Sequence, residues 1–346
     1  MFDSVPGYEG TSGGGDGAYL PPPMPSMPMP VPEASSHPEW HDNIPSISEG
    51  RAWEAFEDYV SSKCCYSSGP IRDGVITNME SFAPYRYRLE TFTEARSTEL
   101  SQEPYTGQCV DAGIQRAPGP WEIAAQPPSY FTEHEDTIRV PYTSSLKKCE
   151  PCDGMGMKPC SSCTGTGSKV CSQCNGSGQC ADNNTACYNC NGSGREKCSS
   201  CSGSGSKMCN TCDGKGKLLV FVNLKVKWST EKDDYVAQDS SGLRMEKLVK
   251  VSGKELFRDA QIMVYPVLGF PDVSVAQASE RLIRDHQVKY TKNSRILQQR
   301  QTIELITITK VNYTWKEKPY VYYVYGNELK VNAEDYPATC CCCSVM

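Results

Sequence analysis

Between Cys149 and Gly216 the chain repeats one phrase, Cys-x-x-Cys-x-Gly-x-Gly, six times. The copies begin at Cys149, Cys160 and Cys171 and then at Cys187, Cys198 and Cys209, eleven residues apart within each set of three and sixteen across the gap. This stretch has no Leu, Ile, Phe or Trp, and only Val170, Tyr188, Met155, Met157 and Met208 offer apolar bulk. A segment of that composition cannot fold around a hydrophobic core. Two thiolates three residues apart bind one metal from a tight turn, and two such turns complete a tetrahedral shell around Zn²⁺. The expected ligands are therefore Cys149, Cys152, Cys160, Cys163, Cys171, Cys174, Cys187, Cys190, Cys198, Cys201, Cys209 and Cys212, enough for three zinc ions. Structural zinc contributes on the order of 10–16 kcal/mol per site, comparable with the roughly 5–15 kcal/mol net stability of a whole domain, so metal replaces the missing core. The first glycine after each pair suits a knuckle with positive φ, and the second lets the chain leave without steric penalty.

A disulfide framework is the rival reading of so many cysteines, and it requires secretion. The N-terminus, MFDSVPGYEG, has neither a basic n-region nor an apolar h-region, so no signal peptide is expected and the protein is expected to be intracellular and cytoplasmic. Residues 1–50 carry seven acidic and no basic residues, so the rest of the chain holds a formal +1, the −6 of the whole less the −7 of this stretch. Binding to a nucleic-acid backbone needs a basic footprint that is missing.

Residues 1–45 form an acidic Gly/Pro-rich tail, running through PPPMPSMPMPVP, that cannot bury a core and is expected to be disordered. From Ser48 onward Trp53, Phe56, Val60 and Cys64 fall on one helical face. Tyr85, Tyr87, Leu89 and Thr91 alternate with charges in PYRYRLETFTEARSTELSQEPY, which predicts a strand and a paired return strand. After the repeats, Leu218, Val220, Val222, Leu224, Val226 and Trp228 occupy every second position of a further strand, and another is expected around residues 137–142. Ser274 and Gln277 form a capping box ahead of a helix carrying Ala278, Leu282 and Ile283. TIELITITKVNYTW reads as one strand, and YVYYVY as another that turns at Gly326-Asn327 into ELKV. The fold class is α+β, a mainly antiparallel β domain made of residues 46–145 and 218–335, interrupted by the cysteine module at 146–217 and followed by a cysteine-rich tail at 336–346.

The repeated phrase resembles the cysteine-rich zinc domain of DnaJ-type chaperones. That family has four copies and two zinc ions in a nested hairpin. Extended to six copies, the resemblance implies that Cys149/Cys152 pair with Cys209/Cys212, Cys160/Cys163 with Cys198/Cys201, and Cys171/Cys174 with Cys187/Cys190. Cys180 then lies in the turn as a solvated spare thiol. The J-domain has no counterpart, because His37-Pro38-Glu39 lies in the tail, so stimulation of Hsp70 hydrolysis is not implied. The acidic Pro-rich head, interrupted β domain and cysteine-rich centre together resemble the Ssu-two homologue family, over roughly residues 46–330.

The chain finishes CCCCSVM, in which Cys343 fits a prenylation box and Cys340, Cys341 and Cys342 are palmitoylation candidates. One lipid chain gives marginal membrane binding, and a second provides stable anchoring. No apolar run is long enough to span a bilayer. Catalysis has little support: His134 and His286 accompany no nucleophile motif, and Cys64, Cys65 and Cys109 lack a catalytic signature. The leading expectation is a non-enzymatic, chaperone-like module binding unfolded or partner polypeptides. A lipid-anchored adaptor and a thiol-disulfide oxidoreductase are the alternatives.

Overall fold

The computed structural model describes residues 8, 21–22, 46–180, 185–238 and 240–339. Nearly all of the Gly/Pro-rich tail lies outside the described residues, as do Cys340, Cys341, Cys342 and Cys343. Two helices, α1 (Glu49–Ser61) and α2 (Gly69–Asp73), precede the strands β1 (Val75–Phe82), β2 (Tyr85–Pro104), β3 (His134–Arg139) and β4 (Ser145–Lys148). Four three-residue strands belong to the repeats: β5 (Met157–Pro159), β6 (Ser168–Val170), β7 (Arg195–Lys197) and β8 (Ser206–Met208). Then come β9 (Lys217–Val236), α3 (Met245–Leu248), β10 (Lys254–Gln261), α4 (Val273–Tyr290) and β11 (Ser294–Leu305). The last strands are β12 (Ile308–Trp315), β13 (Lys318–Tyr325) and β14 (Lys330–Asn332). The fold is mostly antiparallel β with few helices.

The chain divides into two compact units, one of residues 1–20, 96–125 and 135–226 and the other of residues 21–95, 126–134 and 227–346. In the second unit one sheet runs β1–β12–β13–β14. Helix α1 lies on it because Ala52, Phe56 and Val60 share one buried face, and Phe56 stacks flat on Tyr322 with centroids 4.0 Å apart. Cys64 is not part of that face: the helix is capped at Ser62, and Cys64 is exposed in the turn beyond it. The other sheet of this unit runs β10–β11–β2–β9, and Val275 and Ile283 of α4 pack with Tyr87, Leu89 and Ile303 on one side of it.

Three sequence expectations are corrected in this unit. β2 is one strand of twenty residues rather than a strand and its return. No Gly, Pro or Asn interrupts Tyr85–Glu103, and β2 buries both faces, so a tight turn has neither the residues nor the exposure it needs. The N-cap of α4 is Asp272, not Ser274, because the Asp272 carboxylate accepts the Ser274 N–H at 2.8 Å and the Ser274 hydroxyl at 2.6 Å. TIELITITKVNYTW is split between β11 and β12, where Ile306 N–H donates to the Pro84 carbonyl at 3.0 Å. Apolar residues continue through that break, so periodicity alone does not reveal it.

In the first unit β9 lies between β2 and β3, and β4 also pairs with β9, Leu146 opposite Leu219. The alternating residues Leu218 to Val226 of β9 are buried, and so are Leu219 and Phe221 on the other face. The Arg139 guanidinium covers the Phe221 ring at 3.8 Å. Asp111 holds the turn ahead of β4, its carboxylate accepting the N–H groups of Tyr142 and Ser144, each at 2.8 Å. The β4–β9 ladder runs into the cysteine repeats, with Cys149 N–H donating to the Gly216 carbonyl at 2.9 Å.

Candidate metal centres

Each copy of the repeat folds into the same knuckle. The residue between the second cysteine and the first glycine (Asp153, Thr164, Asn175, Asn191, Ser202 or Asp213) is left-handed, with φ between 44° and 51°. Asn and Asp tolerate that region best, which accounts for four of the six. This left-handed position before the glycines is a feature that the cysteine spacing does not disclose. The N–H of the second glycine donates to the sulfur of the second cysteine, at 3.2–3.3 Å in all six copies, from Gly156 to Cys152 through Gly216 to Cys212. An N–H aimed at sulfur stabilises the thiolate and orients it for a metal.

Knuckles meet in pairs across a hairpin. The N–H of Cys149 bonds to the carbonyl of Gly216 and that of Cys209 to Gly156, and the same reciprocal bonds join Cys160 with Gly205 and Cys198 with Gly167. Cys171 with Gly194 and Cys187 with Gly178 complete the series. Between them β5 pairs with β8, Met157 opposite Met208, and β6 pairs with β7, Lys169 opposite Glu196. The second glycine is needed for more than an unhindered exit. A Cβ on Gly167 would lie 2.4 Å from the carbonyl oxygen of Gly203, so only glycine allows the two knuckles to approach.

This pairing collects the twelve cysteines into three buried groups: Cys149, Cys152, Cys209 and Cys212; Cys160, Cys163, Cys198 and Cys201; and Cys171, Cys174, Cys187 and Cys190. Within each group the ligand sulfurs all lie within 4.8 Å of one another. Across the hairpin the sulfur separations are 3.8 and 3.7 Å in the first group, 3.9 and 3.8 Å in the second, and 3.9 and 3.7 Å in the third. A Zn–S bond of about 2.3 Å sets tetrahedral sulfurs about 3.8 Å apart, whereas a disulfide requires about 2.05 Å. The donor set and its spacing thus fit a metal ion with four thiolate ligands, consistent with zinc.

The electrostatics of each group call for a cation. Burial, reinforced by the thiols of Cys152, Cys212 and Cys209, pushes Cys149 up to about 12. Its partner Cys209 moves the other way: burial opposes ionisation, but the N–H groups of Thr211 and Cys212 outweigh it and bring the thiol down to about 6. Cys201, against burial, is likewise brought down to about 6 by the Gly205 N–H and the neighbouring thiols. Within one group, then, N–H groups draw some thiols toward the thiolate while burial and neighbouring thiols hold others neutral, and a cation among them would stabilise all four as thiolates.

Cys180 is half-buried and packs against the third group without joining it, its sulfur 3.9 Å from the Ala186 carbonyl. It is thus less solvated than its place in the turn implied. Cys109 is an exposed thiol, and His134 stacks on Trp228 with ring centroids 5.9 Å apart. His286 belongs to a network of residues far apart in the chain, which no local motif discloses. Its Nδ1 meets the Thr91 hydroxyl at 2.7 Å and its Nε2 the Asp233 carboxylate at 2.8 Å, while Gln299 donates to Thr91 at 3.0 Å. Although Asp, His and a hydroxyl are in line, the hydroxyl of Thr91 is wholly buried and already accepts from Gln299, so no substrate reaches it. The arrangement ties β2 and β11 to α4. Among the described residues no helix is long and apolar enough to cross a membrane.

The chain is similar to curated proteins from three vertebrates. It is 72% identical over its whole length, and over 95% of the relative, to a protein of Danio rerio named Protein SSUH2 homolog. A protein of that name from Homo sapiens is 43% identical over all of this chain and 93% of its own, and one from Mus musculus 45% identical over 75% of this chain and 76% of its own. No family model matches the sequence. No solved structure matches it.

Proposed function

The chain belongs to the Ssu-two homologue family, and we propose that it is a zinc-stabilised, non-enzymatic protein that binds non-native or partner polypeptides. Support for zinc comes from the all-thiolate donor set and the sulfur spacing near 3.8 Å. Four protein ligands close the shell and leave no position for substrate, as in structural sites. When bound, each ion supplies positive charge to four thiolates and a cross-link between two knuckles. The chain's own part is to aim six N–H groups at six sulfurs and to clear the way for approach with glycine. The nested hairpin is read as a DnaJ-type cysteine-rich module lengthened by one group.

The observation that carries the binding role is the placement of methionine. Met155, Met157 and Met208 are 70%, 40% and 56% exposed, on a module whose buried residues are chiefly its cysteines. Met157 and Met208 are cross-strand partners, so they form one surface beside the first cysteine group. Thioether side chains are flexible and polarizable and adapt to irregular apolar partners. The full-length zinc-loaded protein in excess over a denatured client should suppress the client's aggregation. A variant with all three methionines changed to Ser should keep its zinc and lose that suppression. Equal suppression by the variant, or none by the parent, overturns the reading. Turnover in an insulin-reduction assay by the zinc-loaded protein would favour the oxidoreductase alternative.

A further inference from the structure

Ahead of β3 the chain runs QPPSYFTE, residues 126–133, and none of these residues belongs to a helix or a strand. Two prolines, a serine and a tyrosine stand together in it: Pro127, Pro128, Ser129 and Tyr130. Each proline ring holds φ near about −65° and leaves no N–H to give, so the pair favours polyproline II and cannot join a sheet ladder. Among the described residues, no backbone group of residues 126–131 bonds to another backbone group. The segment is held by side chains instead.

Phe131 is the anchor. Its ring tilts against the buried Phe92 with centroids 5.7 Å apart, and the Arg300 guanidinium lies 4.3 Å from its centroid. Its φ of 58° turns the chain directly after the tyrosine, and the Ser129 hydroxyl donates to that of Thr132 at 2.8 Å across the turn. Tyr130 is left outside. Its ring is 57% exposed, touching Phe92 at a centroid distance of 5.6 Å, and its hydroxyl has no partner among the described residues. Pro128 and Ser129 are exposed beside it. A tyrosine with its apolar ring in water and its hydroxyl unused is the side chain that protein interfaces favour as an anchor.

We propose that Pro127, Pro128 and Tyr130 form a docking motif for a domain with an aromatic-lined polyproline groove, of the WW class. Such a groove takes proline rings between its aromatic side chains, and a ligand whose backbone is already restricted loses little entropy on docking. The spacing Pro-Pro-x-Tyr adds a tyrosine that fills a second pocket and offers its hydroxyl there. An SH3 groove also takes polyproline, but its ligands carry a basic residue, and no Lys or Arg occurs between Arg116 and Arg139. Seating Tyr130 in the partner draws its ring off Phe92, and Phe131 stays behind to cover that side chain. This motif shares no residue with the methionine surface and does not depend on the polypeptide-binding role.

Isothermal titration calorimetry of the full-length, zinc-loaded chain with a recombinant WW domain that binds Pro-Pro-x-Tyr peptides tests the proposal. Saturable binding of one domain per chain is expected, and none by the same domain with its groove tryptophan changed to alanine. Tyr130→Ala and Pro128→Ala should each weaken binding at least about tenfold, the loss of an interface anchor. Pro128 is exposed, so its variant decides the matter should Tyr130→Ala lose its fold. No binding by the parent overturns the proposal. Binding that Pro128→Ala leaves unchanged does so too, and would move the docking site to the proline-rich head. Binding to a synthetic peptide of residues 124–133 but not to the full chain also overturns it, because the fold then withholds the motif.

Discussion

A Cβ on Gly156 would lie 2.2 Å from the carbonyl oxygen of Gly214, and the reciprocal position, Gly216, faces the Gly154 carbonyl at 2.1 Å. The same N–H that Gly156 presents to the Cys152 sulfur thus depends on a backbone approach that no other residue permits. Gly156→Ala is expected to cost about 3 kcal/mol or more, from the backbone clash and the positive φ of 77° together, and to weaken metal retention by the first group. Gly50→Ala is the control. Gly50 lies in α1 with nothing within 4 Å of a Cβ, so Ala there should stabilise by about 0.5–1 kcal/mol. Thermal unfolding of the two variants, with metal content measured in parallel, separates the expectations.

The three cysteine groups are built from different knuckle pairs and share no ligand. Cys174→Ser should therefore remove metal from the third group alone and leave the other two loaded. Metal content by native mass spectrometry checks this, and loss of all metal from the single variant would show the groups to be one cooperative unit.

The repeat spacing made it legible that these twelve cysteines could hold metal, because a tract without Leu, Ile, Phe or Trp leaves cysteine as its only core. Strand β9 was legible for the same reason of pattern, six apolar residues in strict alternation. Other features resisted. The length of β2 was hidden because Arg86, Glu90 and Glu94 look like exposed positions, yet they are buried as ion pairs: Glu90 with Arg300 and Lys232, Glu94 with Arg295. Arg86 additionally donates to the carbonyls of Leu248, Val249 and Val251. Partners so distant in sequence leave no local trace. The left-handed residue of each knuckle was hidden by its variety, Asp, Thr, Asn or Ser, since the preference there is one of tolerance.

Thr91 supplies the most direct test of the buried network. Thr91→Val keeps the shape but leaves His286 Nδ1 and the Gln299 amide without their partner, at a cost of about 2–3 kcal/mol. Chemical denaturation measures that loss. Suppression of client aggregation should be unchanged at temperatures where the variant stays folded, because the network shares no residue with the exposed methionines of the cysteine module.

Asp111 makes stability depend on acid. Burial is the largest single influence and raises its carboxyl, but the N–H groups of Tyr142 and Ser144 together with the Ser144 hydroxyl outweigh it and hold the group below the ordinary carboxylate value. A depressed native value means that the stabilisation is complete above the unfolded-state value of about 3.9 and is lost as pH falls through the native one. Asp111→Asn should cost about 1 kcal/mol at neutral pH, solvent screening allowed for, and the gap from the parent should close below about pH 4. Denaturation curves across that range carry the test, and a gap that persists in acid would assign the effect to packing.

Native mass spectrometry of the intact chain, purified with its thiols protected, tests the central claim most directly. Three zinc ions per chain, with the twelve ligand cysteines unmodified and shielded from alkylation until the metal is chelated, is the predicted result. A folded chain holding fewer than three, or one whose module cysteines are joined as disulfides, would contradict it.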